Sequence, residues 1–79
     1  MNYDVAIVSD EKPTLEEAQK FVGGLVEVIE LNGKIPAQMM VNEEGLIYGL
    51  PHNEIASAMS KRTIVGKALI LYGNARWID

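Results

Sequence analysis

Val22-Gly23-Gly24-Leu25-Val26-Glu27-Val28-Ile29-Glu30-Leu31-Asn32-Gly33, followed by Met39-Met40-Val41-Asn42-Glu43-Glu44-Gly45 and by Gly49-Leu50-Pro51-His52-Asn53, is the stretch that decides the fold. Apolar runs alternate in it with clusters of Gly, Asn and Pro. Leu25 to Leu31, rich in Val, Ile and Leu, predicts a strand. Its acids, Glu27 and Glu30, differ in parity, so neither face is purely polar. Asn32-Gly33 is the strongest short hairpin signal and predicts a type I′ turn, in which both residues take φ > 0. The returning strand is expected from Lys34 to Val41. Pro36 within it has no N–H to donate to a ladder, which suggests an edge position or a bulge and marks Pro36 as a candidate contact residue. Asn42-Glu43-Glu44-Gly45 predicts a type I turn closed by a left-handed glycine. Leu46-Ile47-Tyr48 then reads as a short strand, which Gly49-Leu50-Pro51-His52 breaks.

Upstream, Val5-Ala6-Ile7-Val8 is an apolar run between Asp4 and Ser9-Asp10 and fits a strand buried on both faces. Thr14-Leu15-Glu16-Glu17 matches a capping box, with the Thr14 hydroxyl and the Glu17 carboxylate each accepting from the other's backbone N–H. Leu15, Ala18, Phe21 and Val22 share one helical face, and Gly23 or Gly24 supplies the C-terminal cap. Downstream, Asn53 is an N-cap for a helix running to Ser60, with Glu54 in its first turn and Ile55, Met59 and Ala58 as the expected buried stripe. Thr63 to Tyr72 is the longest strand candidate, with Gly66 marking a bulge or a close backbone approach. Gly73-Asn74 turns the chain, and Ala75-Arg76-Trp77-Ile78 is expected to return as a short strand.

The order strand, helix, three strands, helix, two strands predicts an α+β fold with a small, mostly antiparallel sheet and two short helices. Seventy-nine residues without a linker or repeat make one domain, residues 1–79. A chain of this length buries only about 60% of its unfolded surface, so self-association is a natural route to more burial. Eleven acids against seven bases give a net charge of −4, which argues against nucleic acid as a partner. The adjacent Lys61-Arg62 is read as complementing a helix dipole. With no cysteine there is neither a disulfide framework nor a thiolate site. No apolar run approaches the roughly 18 residues of a membrane span, and no basic region precedes the first apolar run, so a cytoplasmic location is expected.

Taken together, Thr14-Leu15-Glu16-Glu17 leading into Val22-Gly23-Gly24, the acidic strand with Glu27, Asn42-Glu43-Glu44-Gly45, Gly49-Leu50-Pro51-x-Asn53 and Ile64-Val65-Gly66 resemble a family of small proteins of unknown function. That family is widespread in bacteriophages and other mobile elements and occurs in some bacteria. The resemblance runs from residue 14 to residue 71. It implies a compact domain in a phage or mobile-element setting, with the host cytoplasm as its location, and it implies no activity.

The residues themselves offer little chemistry. Glu43 and Glu44 are too few oxygen ligands for a calcium or magnesium site and match no EF-hand spacing. Gly23-Gly24 follows a helix, the wrong order for a phosphate loop. Ser57 and Ser60 lack a nucleophile-elbow context. One histidine and no paired ligands leave no metal pattern. No catalytic residue, metal or cofactor is therefore expected. The loop and helix start formed by Tyr48, Gly49, His52, Asn53 and Glu54 is the candidate ligand site: helix N-termini attract anions, His52 assists if protonated, and Tyr48 can stack. Arg76 and Trp77 either staple the tail to the sheet or anchor a partner, an environment in which both residue types are enriched. Met39, Met40 and Met59 fill core or form an adaptable contact surface. The primary expectation is a non-catalytic accessory protein that binds a host protein or itself. The alternatives are a binder of a small anionic nucleotide or metabolite, and a minor virion component.

Overall fold

The computed structural model describes residues 4–77. Strands β1 (Val5–Val8), β2 (Val26–Leu31), β3 (Ala37–Asn42) and β4 (Ala68–Tyr72) form one sheet in the order β1-β4-β3-β2. β2 and β3 pair antiparallel, as do β3 and β4, while β1 runs parallel to β4. Helix α1 (Leu15–Val22) lies between β1 and β2 in the chain and helix α2 (Glu54–Ser60) between β3 and β4. The fold is α+β, as the alternation of apolar periods predicts.

Successive strand residues face opposite sides, so the sheet makes two cores. Ile29, Met39, Val41, Ala68 and Ile70 pack with Ala56 of α2 and with Ile64. Met40, Leu69 and Leu71 pack with Ala18 of α1 and with Ala75, and Phe21, Val26 and Trp77 lean against them. Met39 and Met40 are wholly buried. All six residues of β3 are buried, because β3 is flanked by strands on both edges and covered on both faces.

The expected caps form. Thr14 Oγ1 accepts from Glu17 N at 3.0 Å and Glu17 Oε1 accepts from Thr14 N at 2.8 Å. Gly23 closes α1 by donating its N–H to Gln19 O at 2.8 Å. Ala18 and Val22 are buried, but Leu15 at the first turn stays exposed.

Several local expectations are corrected. Leu31 pairs with Ala37, so five residues, 32–36, connect β2 to β3, and neither Asn32 nor Gly33 takes a positive φ. The type I′ turn is replaced by a longer loop. Pro36 is its last residue, so it disturbs no ladder, and the strand it precedes is central rather than an edge. Leu46-Ile47-Tyr48 lies in consecutive turns instead of a strand. Three apolar residues have β composition, but the ladder gives them no partner strand. Strand β4 begins at Ala68 rather than Thr63, because Gly66 sits at φ +80, outside any ladder conformation. Residues Gly73–Ala75 form a 3₁₀ turn, and Arg76-Trp77 continue without pairing as a strand, while Ile78 lies outside the described residues. Ile7 of β1 is 65% exposed. A seven-residue helix is about 10 Å long and cannot cover four strands spaced about 4.8 Å apart, so the edge strand is left open on that face.

Candidate functional site

Three buried amide side chains position the connecting segments, and the candidate site is built on one of them. Asn53 is 3% exposed. Its Oδ1 accepts from Ala56 N at 3.0 Å, the expected N-cap of α2. Its Nδ2 donates to Asp4 O at 2.9 Å and to Gly66 O at 2.8 Å. Asn53 thus joins the start of β1, the approach to β4 and the start of α2. An anion at this helix start would compete with Asn53 for the Ala56 N–H.

His52 forms an isolated antiparallel bridge with Val65. The bridge is framed by Asn53 N donating to Ile64 O and Gly66 N donating to Pro51 O, both at 2.8 Å. His52 Nε2 lies 3.2 Å from Ser57 Oγ. A serine and a histidine at that distance suggest a nucleophile and its base. Here Ser57 Oγ also accepts from Ile64 N at 2.8 Å and donates to Ile64 O at 3.2 Å. The hydroxyl is occupied by the backbone of the segment it anchors. His52, Asn53 and Glu54 line a depression of about 270 Å³ together with Asp4, Val5 and Ile55. Two carboxylates, Asp4 and Glu54, share its wall with the one histidine.

Tyr48 and Gly49 do not join that depression. They belong to the turn from Glu43 to Gly49, whose geometry comes from close packing. Asn42 Oδ1 accepts from Glu44 N at 2.7 Å, and Asn42 Nδ2 donates to Val22 O at 3.2 Å. Gly45 has an ordinary φ, contrary to the left-handed closure expected of it, and is required for a different reason. A Cβ there would lie 2.8 Å from Val65 Cγ2. Gly66 needs its glycine for its φ of +80, and a Cβ there would also lie 2.7 Å from Leu50 Cδ1, the movable end of that side chain. These contacts hold the turn against the segment before β4 and push its tip outward. Leu46, Ile47 and Tyr48 are 73%, 79% and 65% exposed.

Of the candidate contact residues, Pro36 is exposed at the hairpin loop. Arg76 Nε donates to Gly73 O at 3.2 Å. Trp77 staples the tail: its indole N–H donates to Pro13 O at 3.1 Å, and its ring packs on the α1-side core. The buried Gln38 grips the Trp77 backbone at both ends, accepting from its N–H and donating to its carbonyl at 2.9 Å.

The composition reading missed two features. Gln38 lies within an apolar strand and Asn42 opens an expected turn, and only their tertiary partners, Trp77 and Val22, reveal them as clamps. Ile55 and Met59, expected to be the buried stripe of α2, are 63% and 38% exposed. The buried side of α2 is instead Ala56 with the half-buried Ser57 and Ser60. Small residues let the helix sit close to the sheet, and the large ones are displaced to its flank.

Among the described residues, no helix is long and apolar enough to cross a membrane. Comparison with curated protein sequences and with solved structures found no match. A family model matches residues 3–78, further than the span on which the resemblance rested. A buried framework of amide clamps carrying an exposed turn is thus what this sequence builds as a member of the family described as a domain of unknown function, DUF3846, to which the chain belongs.

Proposed function

We propose that the chain is a small acidic accessory protein, carried by a bacteriophage and acting in the host cytoplasm, that works without catalysis by binding a host protein through the Glu43-to-Gly49 turn. The observation that carries this is the run Leu46-Ile47-Tyr48, three consecutive large apolar side chains, each at least 65% exposed. Contiguous apolar residues at a pinned turn gain more from a partner than from water, and the pinning lowers the ordering cost of binding. Glu43 and Glu44 precede the run, and the one ion pair among the described residues, Arg62 with Glu27, involves neither acid. The matching partner surface is an apolar socket rimmed by Lys or Arg. The phage setting rests on the resemblance carried by the motifs between residues 14 and 71. The commitment of Ser57 Oγ to Ile64 supports a role other than nucleophilic catalysis.

The test is affinity purification from host cells with the wild-type chain and with Ile47→Ser/Tyr48→Ser. A defined protein should co-purify with the wild type, weaken with salt, and be lost with the variant at unchanged melting temperature. Retention of the same partners by the variant would overturn the assignment. The anionic-ligand alternative has less support, because Asp4 and Glu54 face the depression that contains His52.

A further inference from the structure

One apolar surface is left over by the turn and by both cores. Ile55 and Met59 stand one turn apart on α2, spacing that places them on one flank of the helix. Ile55 lines a depression with Val5, and Ile7 lies two residues further along the same face of β1. Met59 lines a groove of about 190 Å³ with Ile35, Leu31 and Tyr72. The result is a stripe from Ile7 through Ile55 and Met59 to Ile35, in which Ile7, Ile55 and Ile35 are each more than 60% exposed.

Its charges are sorted by end. Asp4 and Glu54 stand beside Ile55, whereas Lys61 follows Met59 by two residues and Lys34 precedes Ile35. None of these four takes part in the ion pair found among the described residues. A stripe with an acidic end and a basic end complements itself when turned through 180°.

We propose that this stripe is a two-fold interface with a second copy of the chain, the two α2 helices lying antiparallel. Glu54 of each copy then faces Lys61 of the other, and Ile55 and Met59 of both copies close the centre. Closed two-fold pairing is the commonest solution for a self-complementary patch, since each contact is made twice. It supplies the apolar burial that a 79-residue core lacks. The inference shares with the proposed function the premise of action by contact, but it uses different residues.

Analytical ultracentrifugation of the full chain over a dilution series tests it. The wild type should be a dimer that dissociates on dilution and on raising salt. Ile55→Asp and Met59→Asp should each weaken the dimer by roughly tenfold or more while circular dichroism stays unchanged. Glu54→Lys alone and Lys61→Glu alone should each be weakened by like charges, and their equimolar mixture should restore a heterodimer. The mixture keeps the test decisive even where an aspartate variant fails to fold. A wild type that stays monomeric at the highest concentration, or charge variants whose mixture recovers nothing, would overturn the interface. A monomer that still loses a host partner with Ile47→Ser/Tyr48→Ser overturns the dimer and leaves the turn assignment standing.

Discussion

Asn53 shows what one buried amide does. Its cap of α2 was legible because the bond to Ala56 spans three residues, and Asn is a favoured N-cap. Its bond to Asp4, forty-nine residues away, was not legible, because no local pattern announces a partner that only the fold brings near. Asn53→Ala removes the cap and takes the side-chain donor from Gly66 O, while Asp4 O keeps the Ala68 N–H at 2.7 Å. It should destabilise the chain by about 3 kcal/mol, read from urea unfolding. Gly66→Ala meets a different obstacle. The Leu50 side chain can give way to the new Cβ, but a φ of +80 strains any L residue. A loss of about 2 kcal/mol is expected in the same assay.

At the scale of elements, both helices and the Val5–Val8 strand were readable because each carries its own signal: a capping box, an N-cap, or a bounded apolar run. The β2–β3 hairpin was readable as a hairpin, but its turn was not. Asn32-Gly33 favours a two-residue connection, yet the Leu31–Ala37 register requires a five-residue one. Register is set by which strand face meets the core, and a one-residue slip would turn Met39 and Val41 away from Ile29 and Ile70. The difference can be measured at Gly33. In a type I′ turn Gly33→Ala would be costly. In the observed loop φ is not positive, and the nearest contact of a new Cβ is Ile35 O at 3.8 Å. Gly33→Ala should leave stability unchanged or raise it by about 0.5 kcal/mol, through the unfolded state.

At the scale of the whole molecule, distant segments are locked by side chains that span the sheet. Trp77 is held by Gln38 and by Pro13, so the C-terminal segment, the central strand and the approach to α1 are coupled. Trp77→Ala should cost about 2 kcal/mol and should reduce amide-exchange protection at Gln38 and Ala75 together. Both candidate contact surfaces also belong to this scale. The Leu46-Ile47-Tyr48 tip was read as a strand and the Ile55/Met59 flank as core. Each pattern was apolar, and local spacing cannot say whether a partner element waits on the other side.

The sequence by itself determined the α+β class, both helices with their caps, the first strand, the hairpin and the absence of cysteine chemistry. These follow from interactions a few residues long, or from composition. The tertiary structure alone decided that β1 runs parallel to β4, that Ala56 rather than Ile55 faces the core, that Gly45 is held by Val65, and that Leu46 to Tyr48 project into solvent. Each of those depends on packing between segments far apart in the chain, where the area available for burial, and not the local preference of the residues, sets the outcome.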